Sequence, residues 1–199
     1  MKMFLSSVFA DSIDKFINRL DREPKDLRVL FIPTAADTYD DKWFVDKDRD
    51  ALLEKGFQIK ELDIKNKTKE ELEKEVKDID IIFIAGGNTF YLSHQVSKSG
   101  FDKIIKDSLE NGIIYVGSSA GSVLMCPTIE PVALIDDPSV VELDNYDGLG
   151  LFNKVILPHL GEEKHKEELE QIQKDFSNLE FIVLKDNQAV VVDDRYEVI

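Results

Sequence analysis

The sequence predicts an α/β fold in which a doubly wound, mostly parallel sheet carries helices on both faces. Uniformly apolar runs of strand length recur along the chain, as is typical of parallel strands that are covered on both sides. Amphipathic helical segments alternate with these runs. The 199 residues, 43% of them hydrophobic, indicate a single domain that spans residues 1–199.

The apolar runs define the strands of this sheet. They occupy residues 27–33, 57–64, 80–85, 113–117, 155–158 and 181–184. The last stretch, residues 189–199, is predicted to form a terminal hairpin or edge strands. Residues 128–153 show no regular pattern and are predicted to be irregular.

Amphipathic segments between the strands predict the helices. They cover residues 11–20, 68–76, 101–109 and 162–176. Thr68 followed three residues later by Glu71 is typical of a capping box, which fixes where the second of these helices begins. In an open parallel sheet, functional sites form at the carboxyl ends of the strands, so the residues after each strand are the place to look for chemistry.

The bulk properties exclude several classes of function. The formal net charge is −15, which repels phosphate backbones and anionic lipid, so neither nucleic acid nor a membrane is an expected partner. Cys126 is the single cysteine, and no HExxH motif occurs, so we expect no disulfide, metal site or other cofactor. The N-terminus has no apolar stretch long enough for a signal peptide, and no segment is apolar over the length of a membrane span, so we expect a cytoplasmic protein. The expected state is a monomer or a homodimer, between which the sequence does not decide.

A candidate nucleophile follows the strand at 113–117. Gly117-Ser118-Ser119-Ala120-Gly121 fits the G-x-S-x-G motif at a sharp turn between a strand and a helix. Such a turn exposes the serine hydroxyl above the sheet, beside free amides of a helix N-terminus. The alternative is a tight turn that merely needs small residues. We predict Ser119 as the nucleophile, with Ser118 and Ser122 as fallbacks and the Ala120 amide as one oxyanion donor.

A second loop, Gly86-Gly87-Asn88-Thr89-Phe90, follows the strand at 80–85. Two glycines let the backbone approach a ligand closely, so the Gly87 amide is predicted to complete an oxyanion hole. Asn88 is a candidate for substrate binding. The alternative for this loop is a turn followed by an Asn or Thr helix cap.

A hydroxyl nucleophile needs a base, and His159 directly follows the strand at 155–158. His165 lies in a charged helical stretch, where solvation is expected, and a packing role is expected for His94. The base needs a carboxylate to fix its tautomer, and Asp186 follows the strand at 181–184. Glu162 and Asp144 are the fallbacks. The resulting order of Ser, His and Asp differs from that of α/β-hydrolases.

The chain resembles the peptidase E family of aspartyl dipeptidases, which are relatives of cyanophycinase. The fold of this family is similar to that of class I glutamine amidotransferase domains. The likeness runs through most of the chain. It is carried by five short blocks: Phe31-Ile32-Pro33-Thr34-Ala35, Gly86-Gly87-Asn88-Thr89-Phe90, Gly117-Ser118-Ser119-Ala120-Gly121, Cys126-Pro127-Thr128-Ile129 and Leu157-Pro158-His159.

The resemblance implies a triad of the Ser–His–Glu type, in which Ser119 and His159 match directly and Asp186 stands in place of the glutamate. Relatives often have tryptophan before the nucleophile, where this chain has Ser118, and three glycines where it has Ala85-Gly86-Gly87. Aspartyl dipeptidases also carry an arginine shortly after the histidine. Here Lys164 is the candidate for that contact, and since a lysine offers only a point charge, preference for an N-terminal aspartate is not predicted.

The predicted function is that of a serine peptidase, dipeptidase-like, that hydrolyses short peptides through an acyl-enzyme. The first alternative is a non-catalytic protein that binds a small ligand on the same scaffold. The second is a flavodoxin-like nucleotide or flavin module, for which Leu5-Ser6-Ser7-Val8 offers a faint candidate for a phosphate-binding loop.

Overall fold

The computed structural model describes residues 2–161 and 165–199. The strands in this part of the chain are β1 (Met3–Ser6), β2 (Arg28–Ile32), β3 (Gln58–Glu61), β4 (Ile81–Ile84), β5 (Ile114–Ser118), β6 (Val155–Leu157), β7 (Phe181–Val183), β8 (Ala189–Val192) and β9 (Tyr196–Val198). Seven of them form one sheet in the order β3-β2-β4-β5-β1-β8-β9. The first five strands run parallel, β8 pairs antiparallel with β1, and β9 pairs antiparallel with β8. The predictions of a mostly parallel sheet and of a terminal hairpin are therefore confirmed.

Helices cover both faces of this sheet, as predicted. They are α1 (Ile13–Ile17), α2 (Trp43–Glu54), α3 (Lys69–Glu75), α4 (Thr89–Ser99), α5 (Phe101–Glu110), α6 (Ala120–Val123) and α7 (Lys166–Asp175). Successive side chains of each strand point to opposite faces. Phe4 of β1 packs in the cluster that contains Phe16 of α1, while Leu5 packs in the cluster that contains Ile105 of α5. Burial on both faces explains why the strands read as continuous apolar runs.

The helix ends follow from local sequence. The side chain of Thr68 accepts a hydrogen bond from the Glu71 amide, and the Glu71 side chain accepts one from the Thr68 amide, which confirms the capping box. The helix α2 was not predicted. Its buried face contains Val45 and Leu52 but also the carboxylate of Asp48, which interrupts the apolar period.

The strands β6 and β7 lie outside the central sheet, which corrects the sequence-based placement. They pair only with each other, in parallel, with Leu157 opposite Val183. A third apolar cluster anchors this small sheet to Leu169 of α7 and to Phe90 of α4. Each strand is only three residues long, and the sequence pattern does not indicate which sheet so short a strand joins. The carboxyl ends of both strands nevertheless face the catalytic candidates, as described below.

The N-terminal strand β1 was also missed, because only four residues form it. It lies near the middle of the sheet, between β5 and β8, and brings Ser6 opposite Ser118. Residues 128–153 contain short 3-10 turns at Glu130–Leu134 and Pro138–Val140, consistent with the predicted irregularity. Within the described ranges, none of the helices combines the length and the apolar composition that crossing a membrane requires.

Candidate active site

Ser119 occupies a sharp turn between β5 and α6. Its φ is +48°, a left-handed value that is strained for a serine and that points to a constrained site. A Cβ atom on Gly121 would lie 2.3 Å from the carbonyl oxygen of Ile84, and one on Gly117 would lie 2.6 Å from the backbone of Gly121. Packing of the turn against β4 therefore requires Gly121, and the close approach of the backbone within the turn requires Gly117.

His159 lies beside this serine. The distance from Ser119 Oγ to His159 Nε2 is 3.0 Å. His159 follows Pro158 at the end of β6 with a φ of +66°, and its amide donates to the Ser7 hydroxyl at 2.8 Å. The hydrogen bond to Ser7 holds the backbone of the histidine against the end of β1.

Asp186 completes a chain of three side chains. The distance between His159 Nδ1 and Asp186 Oδ1 is 3.0 Å, and the Ser7 hydroxyl donates to the same carboxylate oxygen at 3.1 Å. A carboxylate in this position fixes the Nδ1–H tautomer, which leaves Nε2 free to accept a proton from Ser119. The structure thus brings together the serine, histidine and aspartate that the sequence analysis selected.

The fallback candidates are placed elsewhere or are otherwise engaged. The hydroxyl of Ser118 accepts from the Phe9 amide at 3.2 Å, and that of Ser122 donates to the carbonyl of Ser6 at 2.7 Å, so both are committed to the protein interior. Asp144 is exposed in the irregular segment. Glu162 lies outside the described residues. His94 lies within α4.

His165 departs from the prediction. It was expected to be a solvated helix residue, whereas it lies at the N-cap position of α7 and lines the same cleft as His159. The centroids of the two imidazole rings are 6.0 Å apart. The reason is that α7 begins only at Lys166, so His165 belongs to the turn that enters the cleft rather than to the charged helix surface.

The two predicted oxyanion donors follow the neighbouring strands β4 and β5. Gly87 has a φ of +144°, and a Cβ atom on it would lie 2.2 Å from the Ala35 carbonyl oxygen. Ala120 is the first residue of α6, where the amide has no intrahelical acceptor. Within residues 2–161 and 165–199, neither amide donates a hydrogen bond to a protein acceptor. Both N–H groups remain candidates for holding an oxyanion.

Asn88, one of the two substrate-binding candidates, is not among the residues that line the cleft. The Asn88 side chain accepts from the Tyr91 amide at 2.9 Å and donates to the Asp137 carbonyl at 2.8 Å, so it caps α4 and anchors the irregular segment. The helix-cap alternative therefore describes Asn88 better than substrate binding. Lys164 lies outside the described residues.

A cleft of about 400 Å³ opens above Ser119. Polar residues at its base include Ser7, His159 and Asp186, and aromatic side chains form part of its wall. Tyr39 and Trp43 are 40% and 62% exposed, which is unusual for large apolar side chains and indicates a contact surface. No group of three His, Cys, Asp or Glu side chains in the described part of the chain is placed to hold a metal ion.

Sequence reasoning missed Asp48, an acid in the cleft wall. It is 3% exposed, and its Oδ1 accepts from the Ala10 amide at 2.9 Å. Burial raises the pKa of Asp48 to about 6, although hydrogen bonds from Ser118 and Ala10 oppose the rise. One aspartate among 40 acidic residues has no sequence signature, so only the fold reveals it.

Ser7 was also missed as part of the site. The sequence indicates for Ser7 only a place in a weak candidate for the phosphate-binding loop of a flavodoxin-like module. In the structure its hydroxyl bonds to His159 and Asp186, while the Ser6 hydroxyl donates to the Gly117 carbonyl at 2.8 Å. Both hydroxyls of that loop are therefore used inside the protein.

Comparisons with known proteins identify the family of the chain. The family model of peptidase family S51 matches residues 6–198. An uncharacterized peptidase of Listeria innocua serovar 6a is 31% identical over 195 residues, which cover 97% of this chain and 93% of that protein. Peptidase E of Salmonella arizonae is 34% identical over 130 residues, or 65% of this chain and 54% of the Salmonella protein.

A solved structure shows the same fold. The crystal structure of a Listeria monocytogenes EGD-e protein provisionally called peptidase E superposes with a TM-score of 0.92 at 31% sequence identity. The match covers 100% of this chain and 97% of the Listeria chain. The α/β architecture derived above is thus shared over the whole described chain.

Proposed function

The chain belongs to peptidase family S51 and is a hydrolase of peptide bonds, and we propose that it cleaves short peptides by acyl transfer through Ser119, His159 and Asp186. One observation carries this proposal. Hydrogen-bond distances of 3.0 Å join Ser119 to His159 and His159 to Asp186 at the carboxyl ends of three strands. Such a relay supplies both the nucleophile and its base.

The first half of the reaction forms an acyl-enzyme. Ser119 Oγ attacks the carbonyl carbon of the scissile peptide bond while His159 Nε2 takes the hydroxyl proton. Negative charge that develops on the carbonyl oxygen is held by the amides of Gly87 and Ala120. The tetrahedral intermediate collapses, the C–N bond breaks, and His159 returns its proton to the leaving amine.

The second half releases the acid. A water molecule gives its proton to His159 and attacks the acyl carbon, and collapse of this intermediate restores the Ser119 hydroxyl. Throughout the cycle, Asp186 keeps the imidazole in the Nδ1–H tautomer and stabilises its positively charged form. Since the left-handed φ of Ser119 fixes the direction of its side chain, the hydroxyl is already aimed at the histidine.

The size of the cleft favours short substrates. A volume of about 400 Å³ is at the low end of the range for small-molecule sites and holds a few residues rather than a folded polypeptide. We therefore propose a dipeptidase-like activity, with no cofactor in the reaction.

The test compares Ser119→Ala with Ser97→Ala, which removes an exposed hydroxyl from α4. Wild type and Ser97→Ala should hydrolyse peptides from a dipeptide panel and should be labelled at Ser119 by a fluorophosphonate. The Ser119→Ala variant should do neither, while its thermal unfolding stays unchanged. A non-catalytic binding protein would show no labelling in any of the three proteins, and that result would refute the proposal.

A further inference from the structure

The cleft carries more acidic than basic groups. Four carboxylates line it, from Asp11, Asp48, Asp136 and Asp186. Asp186 faces His159, and Asp11 pairs with Lys47 over 2.7 Å. Among the described residues, Lys47 is the sole Lys or Arg of the lining, and Asp48 and Asp136 have no ion-pair partner. Excess negative charge in a confined cleft raises the local concentration of positively charged ligands.

Of the two unpaired acids, Asp136 is the one available to a ligand. Asp48 is buried and bonds to Ala10 and Ser118. Asp136 is partly exposed, its Oδ2 accepts from the Thr89 amide at 2.8 Å, and the Thr89 hydroxyl also bonds to the carboxylate. A carboxylate has about four acceptor positions, so these two contacts leave the others for a ligand.

The surroundings of Asp136 suit a cation near the reacting atoms. Its carboxylate lies close enough to His159 for the two charges to interact. Tyr39 lines the same cleft as Asp136, and burial followed by the negative charge of Asp136 raises the pKa of the Tyr39 phenol. An aromatic face next to an acid attracts ammonium groups through the ring quadrupole as well as through charge.

The aromatic wall extends beyond Tyr39. The ring of Phe44 packs edge-on against Tyr39 at 5.5 Å and against Trp43 at 6.0 Å between centroids. These three rings and Asp136 all border the cleft that contains Ser119. The unpaired carboxylate and the exposed aromatic rings are not part of the hydrogen-bonded relay of Ser119, His159 and Asp186.

We propose that Asp136 is a specificity-determining residue whose carboxylate accepts a positively charged amino group of the peptide, so that the cleft selects cationic peptides over acidic ones. The amino group is either the α-ammonium or the side-chain ammonium of a first-residue lysine. If the first residue of the peptide is an aspartate, its side chain is repelled by the negative charge of Asp136, which disfavours binding. This inference rests on the proposed function only in placing the peptide beside Ser119.

Binding measurements test it without turnover. The Ser119→Ala protein is titrated calorimetrically with Lys-Ala, Ala-Ala and Asp-Ala and with their N-acetylated forms. We expect Lys-Ala and Ala-Ala to bind more tightly than Asp-Ala, with a preference that weakens as salt is raised. If N-acetylation weakens Ala-Ala strongly, the α-ammonium is the bound group; if N-acetylated Lys-Ala keeps its affinity, the bound group is the side chain.

Two further variants in the Ser119→Ala background assign the effect to one residue. Asp136→Asn keeps an acceptor for the Thr89 amide but removes the charge, and we expect it to weaken the cationic peptides about tenfold or more. Asp137→Asn is the matched control, because that neighbouring carboxylate is exposed and bonds to Ser139. It should bind like the parent protein, and thermal unfolding shows whether each variant is folded.

The inference fails if Asp-Ala binds as tightly as Lys-Ala, if Asp136→Asn leaves the affinity of the cationic peptides unchanged, or if no peptide binds. Hydrolysis of the same peptides by the wild-type protein distinguishes failure of the inference about Asp136 from failure of the proposed function. Charge-selective binding without hydrolysis would refute the proposed function alone. Hydrolysis without charge preference would refute the role of Asp136 alone.

Discussion

The Ser7 hydroxyl lies 3.1 Å from Asp186 Oδ1, the same carboxylate oxygen that His159 Nδ1 approaches at 3.0 Å. Ser7 also accepts a hydrogen bond from the His159 amide, and the next residue, Val8, donates from its amide to the Asp186 carbonyl at 3.2 Å. The end of β1 therefore joins the central sheet, which supplies Ser119, to the small sheet, which supplies His159 and Asp186. Ser7 acts as a positioning residue for both.

The first prediction concerns Ser7→Ala. Loss of the hydroxyl allows the His159 imidazole and the Asp186 carboxylate to shift. Because the relay depends on their exact positions, kcat should fall about ten- to hundredfold with little change in KM. Steady-state kinetics on a dipeptide provide the measurement. Ser12→Ala is the control, since it removes another buried serine hydroxyl, bonded to the Phe9 carbonyl, away from the relay. Equal kcat values for the two variants would show that Ser7 is merely structural.

The second prediction concerns Asp186→Asn. The amide preserves size but cannot stabilise the positively charged imidazole, and it allows the wrong tautomer, so kcat should fall by roughly two to four orders of magnitude. Asp186→Glu retains the charge and should recover part of this loss. Asp194→Asn, which changes a 97% exposed side chain, serves as the reference. If kcat of Asp186→Asn matched the reference, another group would have to orient His159.

Much of the fold and the core of the site could be predicted because each rests on a local pattern. A buried strand followed by small residues marks Ser119, and a strand end marks His159 and Asp186. The same patterns do not report which sheet a three-residue strand joins, as β6 and β7 show. They also cannot identify residues such as Ser7 and Asp48, whose roles arise from contacts between distant segments.

The helix α2 illustrates the physical limit most directly. A buried acid at Asp48 breaks the apolar period that reveals an amphipathic helix. The fold tolerates it because the Ala10 amide and the Ser118 hydroxyl satisfy the carboxylate. Asp48, the residue that breaks the apolar period of α2, is thus the residue of this helix face that lines the active-site cleft.

The third prediction concerns the stability contributed by Asp48. Because its pKa rises from 3.8 in the unfolded chain to about 6 in the native protein, the native state binds this proton more tightly. The resulting stabilisation is fully present below about pH 4 and is lost as the pH rises through 6, a change of about 3 kcal/mol. In Asp48→Asn, which cannot titrate, the free energy of unfolding should therefore fall less than in wild type between pH 4 and pH 7.

Urea denaturation at both pH values measures this difference. Partial burial also raises the pKa of Asp136, which contributes in the same direction, so the informative quantity is the difference between variant and wild type at each pH. The asparagine keeps an acceptor for the Ala10 amide, which limits other effects of the substitution. Parallel stability curves for the two proteins would show that Asp48 has an ordinary pKa.

The last prediction contrasts the adjacent glycines 86 and 87. A Cβ atom on Gly87 would lie 2.2 Å from the Ala35 carbonyl oxygen, so backbone must move, and Gly87→Ala should cost more than about 3 kcal/mol of unfolding free energy. A Cβ atom on Gly86 would instead lie 3.3 Å from Ser119 Cβ. Gly86→Ala should thus fold with a loss of about 1 kcal/mol or less.

The consequence of Gly86→Ala should appear in the chemistry. Pressure on Ser119 Cβ turns the hydroxyl away from His159, so fluorophosphonate labelling and kcat should both fall about tenfold or more. The control is Gly150→Ala, where the new methyl group meets nothing within 4 Å and a φ of +63° costs only about 1 kcal/mol. It should keep full activity despite its lower stability. Normal labelling of Gly86→Ala would contradict the prediction, because it would show that the added methyl group does not displace the Ser119 side chain.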